Sequence, residues 1–88
     1  MRIEKSEKQR RRDNRGTLTA AFGRAMRVRR QELGLTQARL ASVMGIAQCT
    51  VVHWENARVA PRFTKVGAIA AALQIKPSEL FARAEALQ

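Results

Sequence analysis

The chain has 88 residues, 45% hydrophobic and 5% aromatic, and a formal net charge of +10. That length supports one domain with a modest core. No run approaches the roughly 18 apolar residues of a membrane span, the N-terminus lacks the apolar stretch of a secretory signal, and the single cysteine, Cys49, excludes an intramolecular disulfide and a Cys-based zinc site and fits a reducing cytoplasm.

Residues 1–16 are polar and charged, ending in RRRDNRG, and read as a disordered basic arm. From Thr17 the pattern changes. Leu18, Phe22, Met26 and Leu33 recur at helical spacing, which predicts a first helix over about 17–33. Arg24, Arg27 and Arg30 fall on or near its outer face. Gly23 weakens it slightly, and Gly34 closes it. Thr36 suits an N-cap, and Gln37 to Met44 forms a second short helix stopped by Gly45. Leu40, Ala41, Val43 and Met44 give it apolar surface. A third helix follows over about 47–56, joined to the second by three or four residues around a glycine, the turn length of a helix-turn-helix over about 36–56. After the loop ARVAPR, Pro61 opens a fourth helix, about 62–73, with Phe63, Val66, Ile69, Ala70 and Leu73 apolar. Pro77 suits the first position of a fifth, about 77–87, with Leu80, Phe81, Ala84 and Leu87 apolar. The apolar set is mostly Ala, Leu and Val. Five short helices with short loops make a compact all-α domain over 17–88.

Charge is unevenly spread. Residues 1–30 hold eleven Lys/Arg against three acidic residues, and the other 58 hold six against four. A basic arm ahead of a nearly neutral globule points to a polyanion, most simply nucleic acid. Catalysis is not expected, because no Ser/His/Asp set, metal cluster or phosphate loop stands in the pattern, and no cofactor or metal is implied. His53 has no second ligand or nucleophile near it in the sequence. Cys49 reads as a passive or buried thiol ahead of a redox switch.

Residues 35–81, LTQARLASVMGIAQCTVVHWENARVAPRFTKVGAIAAALQIKPSELF, resemble the phage repressor/Cro (XRE-like) family of helix-turn-helix regulators. The resemblance rests on the Leu-Thr-Gln start, Ala41, Gly45, Val51, the Glu55-Asn56 pair, Pro61 and the Leu-x-Ile-x-Pro-Ser-Glu-Leu-Phe ending. Met26, Arg27, Arg30 and Gly34 extend it to about 22–81. It implies a λ-repressor-like fold in which Ala41, Gly45, Val51 and Trp54 shape the helix crossing. Arg30 and Glu55 would form an ion pair between the first and third helices.

The resemblance further implies a third helix that enters the major groove of double-stranded DNA, where base edges are distinguishable. Gln48, Cys49, Thr50, Val52 and His53 are then the base-reading positions. Gln37, Asn56, Arg58 and Arg62 are the phosphate positions. Ala47 departs from the family, which places Ser or Thr there as a helix cap. The function implied is a phage- or plasmid-type repressor binding a pseudo-palindromic operator as a homodimer, with Phe81, Ala84 and Leu87 as dimer candidates and no membrane role. The rival reading is an antitoxin or bridging cofactor whose main partner is a protein, a toxin or a polymerase. The arm could lie along the minor groove or the DNA backbone.

Overall fold

A computed structural model of the chain describes residues 17–88. Among them are five helices and no strand: α1 (Leu18–Glu32), α2 (Gln37–Met44), α3 (Gln48–Glu55), α4 (Phe63–Ala72) and α5 (Pro77–Leu87). The five expected helices are all present, each within two residues of its expected ends. The expected arm, residues 1–16, lies outside the described residues.

The helix ends show why the chain breaks where it does. The Thr36 hydroxyl accepts the Arg39 N–H at 3.0 Å and caps α2. Pro77 occupies the first turn of α5, where a missing N–H removes no helical bond. Pro61 does not open α4. The helix begins at Phe63, with Arg62 extended at the capping position. The first four helices close with the same backbone motif. A residue two or three past the helix end donates back to the carbonyl five residues earlier, in the last turn: Leu35 to Arg30, Ile46 to Ala41, Arg58 to His53 and Ile75 to Ala70, at 3.0–3.1 Å. The motif needs a left-handed residue, supplied after α1 and α2 by Gly34 and Gly45, and after α3 and α4 by Ala57 (φ 57°) and Gln74 (φ 54°).

The core lies where the helices converge. Met26, Leu40, Val51, Ile69, Leu73 and Leu80 are its largest fully buried side chains. The most extensive packing is between α1 and α5, followed by α2 on α3 and α1 on α3, with α4 closing against α2 and α5. Phe22 of α1 and Phe81 of α5 sit with ring centroids 5.1 Å apart, a favourable tilted pair. Polar clamps hold α1 to α5 and to the end of α4. Arg83 on α5 grips Glu32 on α1 at 2.8 and 2.9 Å, and Arg29 donates to the Leu73 and Gln74 carbonyls at the end of α4.

Some expected placements are overturned. Arg30 is not on the outer face of α1 but 8% exposed, because Glu55 draws it inward. Ala84 is fully enclosed beneath α1, so it has no surface to offer a second copy, and it leaves the set of dimer candidates. Phe63 and Val43 carry apolar side chains at helical spacing yet point outward, Phe63 with 86% of its surface exposed.

Candidate nucleic-acid interface

The turn between α2 and α3 spans three residues, 45–47, and its tightness follows from the side chains it lacks. Gly45 takes φ 68°, and Ala41, 2% exposed, is small where the helices converge. Val51 and Trp54 turn into the core, at 0% and 6% exposure. The opposite side of α3 faces out: Gln48 and Cys49 are exposed, and Thr50, Val52 and His53 are half-buried. All five sequence-derived reading positions are thus reachable. Cys49 is exposed rather than buried. Ala47 leaves the N-terminus of α3 without a side-chain cap.

A polar cluster locks α3 to its neighbours. Arg30 donates through Nε to Glu55 Oε2 at 2.7 Å and through Nη2 to Oε1 at 3.1 Å. Gln37, at the start of α2, donates its amide Nε2 to the same Oε1 at 3.1 Å. Arg27 donates there through Nε at 3.3 Å, and its Nη2 reaches Asn56 Oδ1 at 3.0 Å. Glu55 is 4% exposed. Burial alone would raise its pKa, but the hydrogen bonds from Arg30 and Gln37, the Arg30 charge and the Arg27 bond outweigh it and hold the carboxyl below the usual glutamate range. A carboxylate with this many donors stays ionised without an exposed negative face.

That burial decides the electrostatics. Between Glu32 and Glu79 the sequence contains one acidic residue, Glu55, and five basic ones: Arg39, Arg58, Arg62, Lys65 and Lys76. The helix-turn-helix, the following loop and α4 therefore expose no carboxylate to solvent. Arg58 and Arg62 are exposed in the loop after α3, and Asn56 is exposed at its end. The remaining acidic residues of the described chain, Glu32, Glu79 and Glu85, lie on α1 and α5. An overall charge balance hides this asymmetry; the order of residues in the sequence carries it.

Two further residues shape the interface and were not singled out for it from the sequence. Gly23 of α1 faces the end of α3 so closely that a Cβ there would stand 2.5 Å from the Trp54 carbonyl oxygen. Arg27 links Glu55 to Asn56. A glycine inside an otherwise good helical pattern is a signal of close approach, whereas an arginine three residues ahead of Arg30 carries none. Among the described residues no helix is long and apolar enough to cross a membrane.

Residues 26–80, well over half of the chain, match the helix-turn-helix family model. No curated protein matches in sequence. A similar solved structure is that of the clp gene regulator ClgR from C. glutamicum, with a TM-score of 0.76 at 21% identity over 80% of this chain and 91% of that one. That likeness shows the fold. The chain belongs to the helix-turn-helix family of DNA-binding transcriptional regulators.

Proposed function

We propose that the chain is a phage- or plasmid-type repressor that binds a pseudo-palindromic operator as a homodimer, with α3 in the major groove. The observation that carries this reading is the pairing of an uncharged, mixed face on α3 with a surrounding surface that exposes no carboxylate. Such a face suits base edges, and such a surface suits phosphates. In this reading Gln48 bonds an adenine through N6 and N7. Cys49 or Val52 meets a thymine methyl, and Thr50 and His53 contact base edges beside them. Gln37, Asn56, Arg58 and Arg62 hold the backbone on either side. One eight-residue helix reads only a few base pairs. Two copies, with recognition helices about 34 Å apart, read two half-sites one turn apart. Phe81, half-buried, and Leu87, 43% exposed, remain the dimer candidates on α5.

A protein partner is the second reading. It is favoured by the apolar groove lined by Leu18, Phe22, Pro61, Phe63, Val66 and Phe81. Selection from random duplex DNA at near-physiological salt separates the two. A two-fold symmetric motif bound at least ~10³-fold tighter than scrambled DNA supports the repressor. Weak, strongly salt-dependent binding without a motif refutes it and favours the protein partner.

A further inference from the structure

We propose that Arg27 is a positioning residue for DNA-backbone binding, presetting the Asn56 amide and tying it through Glu55 to Gln37 at the start of α2. The inference rests on the DNA-binding reading above and names a part of its machinery. The argument begins with the amide of Asn56. Its Oδ1 accepts the Arg27 Nη2 bond at 3.0 Å, so the acceptor end is held toward α1. The Nδ2 end is left as a pair of donors on an exposed side chain, and a donor pair is satisfied by an acceptor such as a phosphate oxygen.

The position needs that help. Asn56 caps the C-terminus of α3, where the helix dipole is negative and repels an anion. The neighbouring Glu55 carboxylate would add to the repulsion. Arg27 opposes both effects, since the same guanidinium donates to Glu55 Oε1. That oxygen is also the acceptor for Gln37, which stands at the N-terminus of α2, an anion-favouring helix end. Amides from α2 and α3 therefore share one frame through Glu55, and Arg27 closes it. A side chain free to rotate would lose entropy on binding phosphate; one already held loses less.

The side chain of Arg27 is 43% exposed, so direct contact with a phosphate is the competing explanation. Titration of the selected duplex with the full chain, at several salt concentrations, distinguishes them. The variants are Arg27→Met, Arg27→Lys, Asn56→Ala and Arg27→Met with Asn56→Ala. Thermal unfolding of each confirms the fold, which Arg30 and Gln37 sustain through their own bonds to Glu55.

Positioning predicts a loss of about three- to tenfold for Arg27→Met and for Asn56→Ala, and no further loss in the double variant. It also predicts an unchanged salt slope for Arg27→Met, and no rescue by Arg27→Lys, whose ammonium lacks the fork. Multiplicative losses, a slope reduced by about one or full rescue by lysine would overturn it and make Arg27 a phosphate contact. Undiminished binding by Arg27→Met would remove any role. If the unaltered chain bound no duplex, the DNA reading itself would fall, and this inference with it.

Discussion

Replacing Gly23 with alanine should destabilise the protein, although helix propensity argues the opposite. Gly23 lies inside α1, and alanine is favoured over glycine in a helix interior by about 0.8–1.0 kcal/mol. The structure reverses the sign. A Cβ at this position would stand 2.5 Å from Trp54 O, 2.9 Å from Glu55 O and 3.1 Å from Glu55 C. These are backbone atoms in the last turn of α3, so no side-chain rotation relieves the collision.

The two helices must therefore separate by nearly an ångström, against the Trp54 and Val51 packing and the Arg30–Glu55 bonds. Overpacking costs about 1–3 kcal/mol, and an immovable neighbour places this case near ~3. The net loss is ~2 kcal/mol, or a Tm drop of about 8–16 °C for a domain of this size. Gly67 provides the matched control. It sits exposed within α4, and a Cβ there meets nothing within 4 Å. Gly67→Ala should raise Tm by about 4–8 °C through propensity alone. Both are read by circular dichroism during thermal unfolding. If Gly23→Ala stabilised the protein as much as Gly67→Ala, the close approach of α1 and α3 would be refuted.

Glu55→Gln should cost about 3–5 kcal/mol, because it strands the buried Arg30 guanidinium. The carboxyl is held below its ordinary value of about 4.3, so its contribution is present above that pH and disappears as pH falls through the lowered folded value. Denaturant midpoints measured from pH 6 down to pH 2.5 should drop for the native chain and flatten in the variant; parallel curves would contradict the assignment. Ala47→Ser should supply the missing cap of α3 and stabilise by ~1 kcal/mol, seen as a raised Tm. For Gln48→Ala, binding across single-base variants of the selected site should show relaxed preference at one position, at about 1–3 kcal/mol; equal loss on every sequence would put Gln48 on phosphate instead. Deleting residues 1–15 should weaken binding and flatten its dependence on salt, and an unchanged slope would mean that this segment does not touch DNA.

Helix existence was legible in the linear chain because it rests on local causes. Apolar side chains at 3.6-residue spacing, a Thr36 cap, Gly34 and Gly45 at the stops and Pro77 at a start all act within a turn of where they stand. The outward set on α3 followed from the same periodicity once Val51 and Trp54 were assigned inward. Closure at Ala57 and Gln74 was not legible, since neither is glycine and the left-handed strain is offset by packing elsewhere. Nor could periodicity rank apolar residues by depth. It treats Phe63 and Ile69 alike, yet one is 86% exposed and the other fully buried, because only the neighbouring helices decide which part of an apolar stripe is covered. Ala84 went the other way for the same reason: its place under α1 depends on how α5 docks. The cluster joining Arg27, Arg30, Gln37, Glu55 and Asn56 draws on three helices and the end of one of them. The ion pair within it was expected from family likeness, but the bond from Arg27 to Asn56 exists only once α1 crosses the end of α3, at a distance that Gly23 alone permits.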